Sequence, residues 1–386
     1  MKRYSLVLWG FLFLLISAPV NAKIFHISPY ALRSNNQELV IKYQLTTPEK
    51  LRLEVVRAHK GETIKNIGTI DSVDGLVTES IGNQKCGDFI EWNLYNNFDE
   101  LLHKSNLHYY PCEKKDKFLF GFYADTQKSP KRHLSIATVM ADIVSKNNLG
   151  FVINAGDVVQ TGKKEKQWYK FFNVAKYYLN DTPLVAALGN HDYRDGTAEF
   201  NPMPIKFDKY LRHENSIPNG QIKVEFPHFD FMVLNSNFKE MTPEGIQSQW
   251  TWIYEELLNS KKNKKSVILS FHHSPICSAF SCNMKTERTL KKKLIPMIEK
   301  SGVVKLVLTG HTHYYERSIK NGITYIVAGP AGGTKNILGK IENPFSKYTK
   351  RRAITFTLLE VENKVIKFKT FNNDGSVIDQ ATVTGI

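Results

Sequence analysis

The chain has 386 residues, of which 42% are hydrophobic and 23% charged, and its formal net charge is +15 at pH 7. These proportions are those of a folded globular protein and exclude a disordered, collagen-like or coiled-coil chain, while the length predicts two domains. A positive surface attracts anions such as phosphorylated substrates. Because the lysines are dispersed along the sequence, we do not expect nucleic-acid binding.

The first residues have the pattern of a secretory signal peptide. Two basic residues precede an apolar run from Leu6 to Ile16, and small residues follow as far as Ala22. This pattern predicts that residues 1–22 are removed by cleavage after Ala22. The run is short for a membrane span, and no later segment is long and apolar enough for one. We therefore expect an exported protein, periplasmic or secreted, with no stable membrane span after cleavage.

The sequence contains four cysteines, and an even number in an exported chain permits disulfides. Pairing by proximity along the sequence gives Cys86–Cys112 and Cys277–Cys282, although other pairings remain open. The scattered positions argue against a cysteine-rich zinc site.

The segment from residue 23 to residue 115 is predicted to be an all-β domain. Leu39, Ile41, Tyr43 and Leu45 alternate with polar residues, and a second alternating run begins at Leu51. Alternation of period two, with turn residues between the runs, is typical of a small antiparallel sandwich.

From residue 116 to residue 386 apolar strands alternate with amphipathic helices, which predicts a layered α/β domain. Helical stripes of apolar residues begin at Ile136, Trp168 and Ile246. The predicted strands are Phe118–Ala124, Phe151–Ala155, Leu184–Leu188, Phe231–Asn235, Val267–Phe271, Lys305–Thr309, Ile323–Ala328 and Ile354–Val361.

Five of these strands are followed by side chains that can bind metal ions. The motifs are Asp125-Thr126-Gln127, Gly156-Asp157, Gly189-Asn190-His191-Asp192, His272-His273-Ser274-Pro275 and Gly310-His311-Thr312-His313. Each motif alone is typical of a turn or a helix cap. Since ligands in α/β sheets bind outside the carboxyl ends of strands, the five together predict one site.

The residue types in these motifs indicate a particular metal chemistry. Carboxylate, imidazole and amide oxygen together suit Mn, Fe or Zn. The set is large enough for two ions, and Asp157 could bridge them. Two ions roughly 3.5–4 Å apart activate a bridging hydroxide and stabilise an in-line displacement, which is typical of phosphoester hydrolysis.

The five motifs resemble those of the calcineurin-like metallophosphoesterase superfamily. The chain is most similar to purple acid phosphatases and their bacterial relatives, because of the stretches Gly310–Arg317 and Gly329–Gly333 and the order of the two predicted domains. The resemblance implies a fibronectin type III-like sandwich followed by a metallophosphoesterase domain, a β-sandwich flanked by helices.

The resemblance also implies a role for each residue. One ion would be bound by Asp125, Gln127, Asp157 and His313. The other would be bound by Asp157, Asn190, His311 and one histidine of the His272-His273 pair. Alignment from the strand end favours His272, whereas spacing to the proline favours His273, and both stay candidates. His191 would lie over the substrate phosphate as the catalytic residue, stabilising the transition state or protonating the leaving oxygen.

Two positions depart from the family pattern. The first motif usually ends in histidine, but here Gln127 stands in that place, which favours Mn or Fe at the first ion. Purple acid phosphatases have an iron-bound tyrosine three residues after the Gly-Asp aspartate, where this chain has Gln160. We therefore expect no tyrosinate–iron absorption.

The resulting hypothesis is an exported phosphatase that hydrolyses phosphomonoesters of small molecules with two divalent or trivalent ions (Fe, Mn or Zn). A phosphodiesterase or nucleotide pyrophosphatase using the same site is the alternative, and a metal-dependent nuclease is a further one. A binding or adhesion protein with a catalytically decayed site is another alternative, which Gln127 alone favours.

Overall fold

The computed structural model describes residues 24–33, 38–59, 62–70, 75–105, 108–111, 116–180, 182–194, 204–212, 218–227, 229–334 and 341–385. The predicted signal peptide and Cys112 lie outside these ranges, so the predictions of cleavage and of the Cys86–Cys112 pair stay predictions. No helix in the described ranges is both long and apolar enough to cross a membrane.

The N-terminal region consists of strands, as its alternating pattern predicts. They are β1 (Phe25–Arg33), β2 (Glu38–Leu45), β3 (Leu51–His59), β4 (Glu62–Ile70), β5 (Leu76–Asn83), β6 (Phe89–Tyr95), β7 (Leu101–Lys104) and β8 (His108–Tyr109). Strands β4, β3, β6 and β7 form one sheet in that order, and β8 pairs with β6. A hydrophobic core that includes Ile41, Tyr43, Ile90 and Trp92 lies between this sheet and β1, β2 and β5.

Strands and helices alternate in the rest of the chain. The first half contains β9 (Phe118–Tyr123), α1 (Pro130–Lys146), β10 (Leu149–Asn154), α2 (Glu165–Leu179), β11 (Leu184–Ala186), α3 (Ile205–Leu211), β12 (Ile222–Glu225) and β13 (Phe229–Val233). The second half contains α4 (Pro243–Lys262), β14 (Ser266–Ser270), α5 (Lys285–Ser301), β15 (Val304–Thr309), β16 (Tyr315–Lys320), β17 (Ile323–Val327), β18 (Ser346–Lys350), β19 (Thr355–Glu362), β20 (Val365–Asn372) and β21 (Val377–Thr384). Helix α5 has no counterpart among the predicted elements.

These elements form four layers, which confirms the predicted α/β layered fold. A nine-stranded sheet has the order β21-β20-β19-β9-β10-β11-β1-β2-β5, and a seven-stranded sheet has the order β12-β13-β14-β15-β17-β16-β18. Buried aromatic and aliphatic side chains, including Phe120, Phe151 and Phe231, fill the space between the two sheets. Helices α1 and α2 cover the outer face of the first sheet, and α4 and α5 cover that of the second.

The nine-stranded sheet continues across the predicted domain boundary near residue 115. Strand β1 pairs parallel to β11, with Leu32 opposite Leu184. The buried Arg33 donates from its guanidinium to the carbonyl of Gly150, at 3.3 Å. Strands from the N-terminal region therefore extend the sheet that carries three of the five motifs.

Candidate metal centre

The five motifs lie together because their strands end at the same edge of the two facing sheets. Strands β9, β10 and β11 are parallel neighbours in one sheet, and β14 and β15 are parallel neighbours in the other. The Asp125 N–H donates to the carbonyl of Gly156 at 3.0 Å, which ties the first two loops together. The His311 N–H donates to Oδ2 of Asp125 at 3.0 Å, which joins the two sheets at the site.

The backbone at the candidate ligands is strained. Left-handed φ angles are uncommon for residues other than glycine because Cβ approaches the carbonyl oxygen. Four candidate ligands have such angles, namely Asp125 (57°), Asp157 (56°), His311 (72°) and His313 (57°). Strain of this kind costs about 1–3 kcal/mol per residue and is typical of functional sites, where surrounding contacts hold it in place.

Asp125, Gln127, Asp157 and His313, the residues predicted to bind the first ion, lie close together. Nε2 of His313 lies 3.4 Å from Oδ1 of Asp125. Nδ1 of the same ring lies 2.6 Å from the carbonyl oxygen of Thr334, which can only accept, so Nε2 presents its lone pair to the site. The Gln127 amide nitrogen lies 2.9 Å from Oδ2 of Asp157 and 3.1 Å from Nε2 of His313.

The oxygen of the Gln127 side chain has no hydrogen-bond partner among the described residues, although it is buried. Rotation of the amide by half a turn would exchange the nitrogen and the oxygen without changing the space that the side chain fills. The oxygen would then face Oδ2 of Asp157 and Nε2 of His313, and a cation between these three atoms would stabilise the arrangement. This orphaned buried oxygen fits a metal ligand.

Asp157, Asn190, His272 and His311, which are among the residues predicted to bind the second ion, also lie close together. Nε2 of His272 lies 3.3 Å from Oδ1 of Asp157 and 3.2 Å from Oδ1 of Asn190. Nδ1 of His311 lies 3.2 Å from the same Nε2. Nδ1 of His272 donates to the carbonyl of Ala155 at 2.8 Å, which leaves Nε2 with a lone pair. Three acceptor atoms and Nδ1 of His311 therefore face one another, an arrangement that a shared cation would stabilise.

The electrostatics of the site favour positive charge at this point. Burial alone would lower the pKa of His272, but the charge and hydrogen bond of Asp157 raise it to about 9. Burial would likewise raise the pKa of Asp157, yet His272 and then His191 bring it below its usual range. A proton and a metal ion thus compete for the same position.

His191 lies beside Asp157. Its backbone N–H donates to Oδ1 of Asp157 at 2.8 Å, and its Nε2 lies 3.9 Å from Oδ2. On the far side of the ring, Nδ1 lies 2.9 Å from the carbonyl oxygen of Gln160. Gln160 therefore orients the imidazole with Nε2 towards the site.

Asp192 does not orient His191 but holds the surrounding loops. Its carboxylate accepts from the backbone N–H groups of Asp157, Val159 and Gly189 at 3.0–3.1 Å. Burial, and after it the charge of Asp157, raise the pKa of Asp192 to about 8, against the effect of the N–H donors.

The family model of the calcineurin-like phosphoesterases matches residues 118–315, a little more than half of the chain. This chain belongs to the calcineurin-like phosphoesterase family. The family is named for phosphoesterases, which hydrolyse phosphoric esters, and this agrees with the predicted enzyme class. A phosphoenolpyruvate phosphatase from Allium cepa is 22% identical over 292 residues, which cover 67% of this phosphoesterase and 58% of the Allium protein. The match thus spans less than two thirds of that relative.

Solved structures share the fold of this phosphoesterase. A purple acid phosphatase from yellow lupin (Lupinus luteus) seeds has a TM-score of 0.71 and 16% identity, covering 92% of this chain and 74% of the lupin chain. PhoD has a TM-score of 0.68 and 13% identity, covering 94% of each chain. GAP50, the anchor in the inner membrane complex of Plasmodium, has a TM-score of 0.55 and 19% identity, covering 69% of this chain and 89% of GAP50.

The two adjacent histidines of the phosphoesterase have different surroundings. His272 belongs to the group around Asp157, whereas Nδ1 of His273 lies 2.8 Å from the Ser236 hydroxyl. His273 instead belongs to a group with His311 and Glu287. The geometry therefore favours His272 at the second metal position.

Glu287 is the residue near the site that sequence reasoning missed. It lies in the first turn of α5, on the same helical face as the buried Leu290, Leu294 and Ile298. Burial raises the pKa of Glu287 to about 7. A carboxylate on an apolar helical stripe is a signal that the sequence does contain.

The cysteine pair next to this loop matches the prediction. Cys277 and Cys282 form a disulfide with Cα atoms 5.9 Å apart. Both are buried against Tyr314, the residue that follows His313 in the sequence.

Proposed function

We propose that this protein is an exported phosphatase that hydrolyses phosphomonoesters with two metal ions (Fe, Mn or Zn). The observation that carries the proposal is the convergence of possible ligand atoms from Asp157, Asn190, His272 and His311, beside a second group that shares Asp157. Such a set of nitrogen and oxygen ligands, with no cysteine, suits these ions.

Each ion would be bound by the residues around its position. Asp125, Gln127, Asp157 and His313 would bind one, and Asp157, Asn190, His272 and His311 the other. Ions in these positions supply Lewis acidity to water and to the phosphoryl oxygens. His191, oriented by Gln160, would donate a proton from Nε2 to the leaving oxygen.

The relatives support a small phosphorylated substrate. The name of the Allium cepa relative, phosphoenolpyruvate phosphatase, refers to a phosphomonoester of a small molecule. Export is proposed from the signal-peptide pattern of residues 1–22, and a fibronectin type III-like identity for the N-terminal sandwich from the order of the two regions. Because the fold also occurs in an anchor protein, the proposal depends on the site rather than on the fold.

The test measures hydrolysis by the protein from Lys23 onward after its metals have been removed. Each of Mn, Fe and Zn is restored in turn, with p-nitrophenyl phosphate and bis-p-nitrophenyl phosphate as substrates. We expect activity to return with metal, to favour the monoester, and to disappear in Asn190→Ala. The control is Asn259→Ala, an exposed amide on α4.

A preference for the diester would favour the phosphodiesterase alternative on the same site. Absence of hydrolysis of both esters, together with metal contents near zero, would contradict the proposal and favour a decayed binding protein.

A further inference from the structure

A third group of candidate ligands lies against the second metal position. It consists of His273, Glu287 and His311, whose ligand atoms all lie within 4.8 Å of one another. None of the five sequence motifs contains Glu287. The group therefore needs an explanation beyond the proposed dinuclear site.

The carboxylate of Glu287 is buried beside the ring of His311. The residue is 1% exposed, and neither oxygen accepts a hydrogen bond from another residue in the described part of the chain. Nε2 of His311 lies 3.5 Å from Oε1, which is too distant for a good hydrogen bond. A buried carboxyl group without a hydrogen bond to another residue is destabilising, so helix α5 holds this group at a cost to stability.

The two ring nitrogens of His311 face different groups. Nδ1 faces His272 in the second metal position, whereas Nε2 faces Glu287. The ring of His273 lies beside that of His311, with centroids 4.5 Å apart. Because the Ser236 hydroxyl lies 2.8 Å from Nδ1 of His273, Nε2 is the atom of that ring left to bind an ion.

We propose that Glu287, His273 and Nε2 of His311 form a third metal position that binds Zn²⁺. Two imidazoles and one carboxylate are a ligand set that zinc adopts with a water or substrate as fourth ligand. The His311 side chain is 22% exposed, which gives an ion access from solvent. Binding would compensate the unpaired carboxylate.

The third position competes with the second for His311. A neutral imidazole carries a hydrogen on one ring nitrogen and a lone pair on the other. An ion bound at Nε2 therefore requires a hydrogen on Nδ1, which removes a ligand from the second position. Excess zinc is expected to inhibit the enzyme through this exchange. This last expectation rests on the proposed function, whereas the existence of the third position does not.

The direct test counts zinc in a variant that lacks the shared ligand of the other two positions. Asp157→Asn should still bind about one zinc ion per chain, and Asp157→Asn with Glu287→Gln should bind none. The matched control adds Glu244→Gln, an exposed glutamate in the first turn of α4, and should retain the ion. Circular dichroism and Tm measurements check that each variant is folded.

A second measurement uses variants that retain Asp157 in case its replacement prevents folding. Zinc is titrated against activity, normalised to the maximum of each variant. Glu287→Gln should raise the half-inhibitory zinc concentration by at least about tenfold, and Glu244→Gln should leave it unchanged.

The outcomes separate this proposal from the dinuclear one. Equal zinc content or equal zinc inhibition with and without Glu287→Gln would overturn the third position, and would show that Glu287 only neighbours His311. One zinc bound in Asp157→Asn, with no ester hydrolysis by the wild-type protein, would support the third position and contradict the proposed function.

Discussion

Gln127 is the residue at which the first metal position departs from the family motif. Its amide nitrogen faces Asp157 and His313, and its oxygen has no partner in the described part of the chain. An amide oxygen is a neutral ligand that can rotate away at little cost, whereas imidazole is a stronger ligand for Zn.

Gln127→His should therefore tighten zinc binding at the first position by about tenfold. Competition with a chromophoric chelator measures the affinity, and Gln247→His, at an exposed site on α4, is the control. Unchanged or weaker binding in Gln127→His would indicate that residue 127 does not contact the ion.

His191→Ala should lower kcat by about 10²–10⁴-fold without lowering the metal content. The backbone N–H of residue 191 still donates to Asp157 in the variant, so the bridging carboxylate keeps its position. Steady-state kinetics and elemental analysis of the same preparation check both parts. Loss of metal in proportion to activity would instead assign the side chain a structural role.

The sequence predicted which residues meet at the site but not how each ring is turned. His272 and His273 are adjacent in a loop, so residue spacing alone left both as candidates. The path of the backbone after β14 directs one ring to Asp157 and the other to Ser236. The sequence likewise did not reveal that Asp192 accepts from three backbone N–H groups, two of which belong to a loop distant in sequence.

At the scale of single elements, the loop after β11 approaches the loop after β10 at Gly189. A Cβ atom at Gly189 would lie 2.0 Å from the backbone nitrogen of Asp157 and 2.2 Å from its Oδ1. Gly189→Ala must therefore displace the bridging aspartate, with a cost of about 1–3 kcal/mol in unfolding free energy.

We expect Gly189→Ala to lose metal and to have a lower Tm, as measured by elemental analysis and thermal melting. Gly68→Ala is the control, because no atom lies within 4 Å of a Cβ placed there. A variant with normal metal content would show that the loops can separate without harm.

Helix α5 shows why one element escaped the sequence interpretation. Its apolar stripe of Leu290, Leu294 and Ile298 is regular, but lysines crowd the opposite face and Pro296 lies inside the helix. Proline normally marks a helix end, so the pattern is easily assigned to a loop. The strands before the motifs were predictable because they are short, continuous apolar runs buried on both faces.

At the scale of the whole molecule, two buried histidines make the N-terminal sandwich sensitive to acid. Burial lowers the pKa of both His103 and His108 to about 3, and the Arg33 charge adds to the effect on His108. The unfolded state takes up protons near pH 6.5, whereas the folded state does not. The contribution of these two histidines to the free energy of unfolding is thus fully present above about pH 6.5. It falls as the pH decreases towards 3, by about 1.4 kcal/mol per pH unit for each histidine.

His103→Phe should reduce the slope of the free energy of unfolding against pH by the contribution of one histidine, while keeping the stacking on Trp92. Urea unfolding at several pH values between 5 and 7, in the presence of a chelator, measures the slope (roughly one proton per histidine). The exposed His26→Phe is the control and should leave the slope unchanged. An unchanged slope in His103→Phe would show that the buried ring is protonated in the folded protein.

The layered architecture was predictable from local patterns, but the continuity of the large sheet was not. Alternating residues identify a strand and its buried face, and they contain no information about a partner far along the chain. The pairing of Leu32 with Leu184 joins strands that are separated in sequence by the first two of the five motifs. Such long-range pairing depends on the packing of β1 against α2, which only the folded chain shows.

Strand β11 lies between β10 on one side and β1 on the other, and Asn190 follows it after a few residues. Recombination could therefore not exchange the N-terminal region freely for an unrelated domain. A chimaera in which this chain began at residue 116 would lack β1. Strand β11 would then be an unpaired edge strand, prone to pair with another chain. A relative without the N-terminal region would need another strand at that edge to hold Asn190 and His191 in place after β11.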